Sequence, residues 1–94
     1  MLTHIVFFKL NNKGKLNEVR KVLESIEGNV DFAREVKVGC DVVHSKRAYD
    51  IALIIKFDSL KDMEAYQVHP YHVDVVMKNT KPFIEGSASV DFED

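Results

Sequence analysis

The strand-like segments of this chain are of two kinds, and their order leaves few folds open. Residues 2–10 and Tyr49–Phe57 are apolar on both faces, whereas Phe32–Val43 and Ser87–Phe92 alternate apolar with polar. Side chains alternate across a strand, so in the first segment Leu2, His4, Val6, Phe8 and Leu10 share one side and Thr3, Ile5, Phe7 and Lys9 the other. A segment apolar on both sides belongs in the middle of a sheet; an alternating one is buried on one side only. In Phe32–Val43 the buried set is Val36, Val38, Cys40 and Val42. In the last segment Ala88, Val90 and Phe92 oppose Ser87, Ser89 and Asp91.

Helical stripes separate these strands. Leu16, Val19, Leu23 and Ile26 recur at spacings of three and four, with Gly28 placed to end the helix. Ser59 through Asp62 resembles a capping box, which starts a second helix at Leu60 and continues it through Met63 and Tyr66. Pro70 disfavours helical geometry at His69 and suits the first position of a new helix. A third helix is therefore expected from Pro70, with Val73, Val76 and Met77 inward and a stop before Pro82.

The resulting order, β-α-β-β-α-α-β, predicts an α+β, ferredoxin-like subunit with a four-stranded antiparallel sheet. Its first and third strands lie in the middle. All helices in this topology cover one face, which leaves Ile5, Phe7 and half of the third strand uncovered on the other. Exposed apolar patches above a few hundred Å² usually mark an interface, so a homodimer with its sheets face to face is expected. At 94 residues the chain is marginal if it stands alone, and a second copy would help it.

A content of 46% hydrophobic and 30% charged residues, without a linker or low-complexity stretch, predicts one globular domain over residues 1–94. A net charge of −2 argues against nucleic-acid binding, and the basic cluster Lys13, Lys15, Arg20, Lys21 is broken by Glu18 and followed by Glu24 and Glu27. Cys40 is the single cysteine, which suits a reducing cytoplasm. The first residues lack a basic region and a cleavage site, and their apolar run ends at Lys9, so they are expected to form a strand rather than a signal peptide. No stretch approaches the roughly 18 apolar residues of a membrane span.

The chemistry concentrates in residues 65–73, where Tyr66, His69, Tyr71 and His72 surround Pro70. Imidazole titrates near neutrality and suits a base beside a carbonyl, and a phenol can donate to a developing enolate oxygen. On one straight helix Tyr66 and His72 would stand about 120° apart, so any meeting depends on the bend at Pro70. The same pair can equally exist to satisfy each other at a helix junction. His4, among Leu2, Val6 and Phe8, is read either as a hydrogen-bonded core residue or as part of a pocket wall. His69 and His72 have a spacing that metal pairs use, but only Asp74 is a nearby third ligand, and neither metal nor cofactor is expected. Phe8 and Tyr49 fill the core or line a pocket, His44 lies in an exposed turn, and Cys40 reads as a buried, inert thiol.

His4 through Leu10, Val38-Gly39 with Asp41-Val42, Tyr49-Asp50, Ala65 through Val73 and the terminal Val90-Asp91-Phe92 together resemble the Dabb family, the stress-responsive dimeric α/β-barrel domains. The tyrosine followed by His-Pro-x-His is the most specific element. The resemblance spans essentially the whole chain and implies a ferredoxin-like subunit that pairs into a dimeric α/β barrel. Family members include plant proteins linked to stress tolerance and a plant polyketide cyclase. In that cyclase the positions matching Tyr66 and His72 carry an aldol-type ring closure, and the position matching His4 lines the pocket. The cyclase also has a histidine early in its third strand, where this chain has Ile51.

Two functions are therefore expected. One is a stress-associated homodimer that binds a small apolar or aromatic molecule between sheet and helices, through His4, Val6, Phe8, Leu23, Tyr66 and His72. The alternative is a cofactor-free cyclase, lyase or isomerase on a polyketide-like carbonyl compound, with His72 as base and Tyr66 as its partner.

Overall fold

The computed structural model describes residues 1–94. Strand β1 (Leu2–Leu10) leads through a 3-10 turn at Lys13–Lys15 into helix α1 (Leu16–Glu24). Strands β2 (Glu35–Cys40) and β3 (Ile51–Phe57) follow, then helix α2 (Leu60–Gln67). A π-helical segment, Tyr71–Met77, continues into the single turn α3 (Lys78–Thr80) and a 3-10 turn at Lys81–Phe83, and β4 (Ile84–Glu93) ends the chain. The sheet order is β2-β3-β1-β4 with every neighbouring pair antiparallel. This is the ferredoxin-like arrangement, and the two strands that are apolar on both faces are the central ones.

The core lies between the sheet and the helices. Along β3, Ile51, Leu53, Ile55 and Phe57 alternate inward and are buried, and register sets His4 opposite Ile55 and Val6 opposite Leu53. Val19 and Leu23 of α1, then Ile26 and Val30 of the turns after it, pack on that surface together with Tyr66 and Val76. Each such side chain contributes roughly 1.5–3 kcal/mol on full burial. Asp50, just before β3, ties the end of β1 to this layer: its carboxylate accepts the Leu10 amide at 2.7 Å and the Lys13 ammonium.

Strand β4 places its apolar side away from the helices. Ser87, Ser89 and Asp91 pair with Phe8, Val6 and His4 on the helix side, so Ala88, Val90 and Phe92 join Ile5, Phe7 and Ile54 on the helix-free face. Phe7, Val90 and Phe92 are substantially exposed there.

Several boundaries differ from the sequence expectation. Strand β2 stops at Cys40, and Val42 and Val43 are 83% and 75% exposed rather than part of the buried stripe. The Asp41 side chain accepts the His44 amide, and His44 adopts a left-handed φ of 59°, which turns the chain out of the sheet. For the same reason β3 begins at Ile51 and not at Tyr49. Helix α1 ends at Glu24, and successive turns carry the chain to Gly28, whose φ of 87° favours glycine. The third helix is π-helical, so its inward positions shift: Val76 is buried, but Val73 and Met77 are 45% and 40% exposed. Leu60, expected to share the stripe of α2, is also exposed.

Candidate functional site

A cavity of about 520 Å³ opens between the sheet and the helices. All six residues expected at a ligand site lie on its wall: His4, Val6 and Phe8 from β1, Leu23 from α1, Tyr66 from α2 and His72 from the π-helical segment. Phe8, Leu23 and Met77 line the space without filling it. The apolar floor comes from the strand parity that builds the core, and the polar groups arrive from the helix junction and from β4.

The junction brings Tyr66 and His72 together. Helix α2 breaks after Gln67, and Pro70 starts the next helical turn in the right-handed region. Across that bend the two rings approach to a centroid distance of 4.5 Å at 51°. His72 Nδ1 lies 3.1 Å from the Gln67 carbonyl oxygen, which can only accept. The proton therefore resides on Nδ1 and the Nε2 lone pair is left free. Single-turn π elements interrupt helices frequently at functional sites, because they re-aim side chains that a regular helix would place elsewhere.

Burial sets the charge states of the pair. It pushes the Tyr66 phenol well above its ordinary range, so the hydroxyl remains a neutral donor. Burial also lowers His72; the Gln67 carbonyl opposes this, and the nearby His4 and His69 reinforce it. His72 is consequently a neutral base near pH 7. Tyr66 is almost wholly buried, yet Arg20 Nε is the one enclosed side-chain polar atom that lacks a partner, so the Tyr66 hydroxyl is not sealed in.

His4 proves to be both of the things its surroundings suggested. It is 6% exposed, lines the cavity, and bonds through Nδ1 to the Asp91 carboxylate opposite it on β4. Its ring meets Tyr66 edge-on at 6.1 Å. The sequence reading missed the serines Ser87 and Ser89, which add polar groups to the cavity wall, and Asp91, which holds His4 from the same strand. The available signal was their shared parity on β4, which register translates into the same face as His4.

Other candidates lie apart from this arrangement. His69 accepts the Tyr71 amide through Nδ1 at 3.0 Å and packs edge-on against Phe32, and no cluster with His72 and Asp74 is placed to hold a metal ion. Cys40, Tyr49 and Phe7 border a second, shallower hollow on the helix-free face. Tyr49 stacks obliquely on Phe7 there and takes no part in the cavity. His44 is exposed beside Asp41.

Comparison with known proteins agrees with this architecture. The chain is 22% identical over 95 residues to a stress-response A/B barrel domain-containing protein of Arabidopsis thaliana; the match covers 98% of this chain and 36% of that protein, so the chain spans about a third of its relative's length. A dimeric protein of ferredoxin-like fold from Bacteroides fragilis superposes with a TM-score of 0.84 at 29% identity, covering 99% of this chain and 95% of the other. A hydroxynitrile lyase from Passiflora edulis shares the fold at 17% identity, with a TM-score of 0.80 over 97% and 90% of the two chains. No helix here is long and apolar enough to cross a membrane. Residues 2–94 match the model of the stress responsive A/B barrel domain, Dabb, and the chain belongs to that family.

Proposed function

We propose that residues 1–94 act as one domain, a homodimer that holds a small apolar or aromatic molecule in the cavity between sheet and helices. The observation that carries this reading is a roomy, partly apolar cavity lined by Tyr66 and His72, whose hydroxyl and Nε2 have hydrogen-bonding capacity that the protein itself does not use. Pockets of a few hundred Å³ with an apolar lining and a few convergent polar groups are the usual form of small-molecule sites. The uncovered apolar sheet face supports pairing with a second copy, and the Bacteroides relative is described as dimeric. A lone cysteine suits a cytoplasmic setting. Acetophenone and 4-hydroxyacetophenone titrated into isotope-labelled protein should shift the resonances of Tyr66, His72 and Leu23. Shifts confined to the outer surface at millimolar ligand would end this reading.

A second reading follows from the closeness of a neutral base and a neutral donor: cofactor-free cyclase, lyase or isomerase chemistry on a polyketide-like carbonyl compound. His72 Nε2 would take a proton next to the carbonyl, and the Tyr66 hydroxyl would donate to the oxygen on which charge develops. The lyase of similar fold supports this by analogy only. Exchange of the methyl protons of acetophenone with deuterium oxide tests it. Catalysed exchange that is lost in His72→Ala and strongly slowed in Tyr66→Phe is expected; equal rates in all three proteins would rule it out.

A further inference from the structure

His69 is the histidine of the helix junction that does not line the cavity, and its geometry is that of a helix cap. Pro70 occupies the first helical position, the His69 carbonyl accepts the Val73 amide at 3.0 Å, and His69 Nδ1 accepts the Tyr71 amide at 3.0 Å. Those are the backbone and side-chain bonds of an N-cap, a position normally held by Ser, Thr, Asp or Asn. An imidazole does this only while Nδ1 is unprotonated, since the imidazolium has N–H on both nitrogens and cannot accept. A positive charge there also opposes the positive end of the helical segment it would cap.

No carboxylate lies within ion-pair distance of His69. The loop before β2 contributes the neutral Phe32 ring at 5.8 Å, and α2 contributes the Tyr66 carbonyl, which accepts the His69 amide at 3.0 Å. On the segment itself stand His72, which also feels His4, and the exposed Asp74. The histidines that form ion pairs are His4 and His44, and no carboxylate pairs with His69 or His72. Charges on His4 and His69 each disfavour charge on His72, so protons added to this cluster repel one another.

We propose that His69 is a pH-sensitive cap: its protonation frees the Tyr71 amide and loosens the Tyr71–Met77 segment from the sheet. That segment carries His72, Val76 and Met77 of the cavity wall, so its loosening opens the cavity. Release of a bound molecule on acidification would follow, a consequence that rests on the binding function proposed above; the capping switch itself does not.

Amide hydrogen exchange on the ligand-free protein, normalised to intrinsic rates, tests the switch at pH about 7.5 and about 5. An N-cap is worth about 1 kcal/mol, so protection across Tyr71–Met77 should fall about fivefold at the lower pH. His69→Asn, a cap that does not titrate, should lose clearly less protection than the wild type, keeping only the smaller loss that His72 causes in both. In the wild-type protein the His69 Nδ1 nitrogen resonance should report protonation over the same pH interval in which Tyr71 loses protection. Unchanged wild-type protection, an equal loss in His69→Asn, or a gap of more than about one pH unit between the two wild-type curves would overturn the proposal.

Discussion

Tyr66 and His72 owe their chemistry to burial more than to each other. The phenol is held neutral by its surroundings, so spectrophotometric titration should show one tyrosine that resists ionisation until alkali unfolds the chain, and Tyr66→Phe should remove that component. For His72 the sign works in the other direction. Its folded value lies below the ordinary imidazole value, so as pH falls through the ordinary range the unfolded chain binds a proton that the folded chain refuses. Stability is therefore full above that range and declines below it. Thermal melts at pH about 7.5 and about 5 should show this loss, and His72→Asn should reduce it. Tyr66, His69 and His72 were legible in the sequence as chemical residues near a helix break, and His4 as a lone histidine in an apolar strand. Their charge states were not, because desolvation depends on what packs around a group.

Among the elements, the end of β1 and the turn after it are tied to the start of β3 by one carboxylate, Asp50. Burial by itself raises the Asp50 carboxyl, but the Leu10 amide and the Lys13 ammonium, with Lys9 further off, outweigh it and hold it below its usual value. Asp50→Ala leaves the Leu10 amide without its acceptor and should destabilise the chain by about 1–3 kcal/mol in urea unfolding at pH 7. A carboxyl with a lowered folded value contributes stability above its unfolded value near 3.9, and that contribution is lost as pH falls through the folded value. The penalty of Asp50→Ala should accordingly shrink as pH falls below the unfolded value of about 3.9. Asp50 reads in the sequence as a residue opening a strand; its role as an anchor needs Leu10 and Lys13 brought beside it, 40 and 37 positions away in the chain. The π-helical turn was likewise invisible, because periodicity at Val73, Val76 and Met77 suits an ordinary helix and the wider turn is chosen by packing.

For the molecule as a whole, the distribution of apolar residues over the two sheet faces is the main determinant. Val90 is 55% exposed on the helix-free face, so Val90→Glu leaves the core untouched and should keep its melting temperature within a few degrees at equal oligomeric state. Light scattering at micromolar concentration is expected to give twice the chain mass for the wild type and the chain mass for Val90→Glu together with Phe7→Lys. A wild-type monomer would remove the pairing. The order of elements, the central position of β1 and β3 and the one-sided covering of the sheet were all determined by the sequence, because local periodicity records how many faces of a strand are shielded from water. That periodicity is blind to which way an edge strand turns its apolar side. Only the tertiary structure decided that β4 gives Ala88, Val90 and Phe92 to the open face and Ser87, Ser89 and Asp91 to the helix side, since the assignment follows from the register of β4 on β1, a contact between the two ends of the chain.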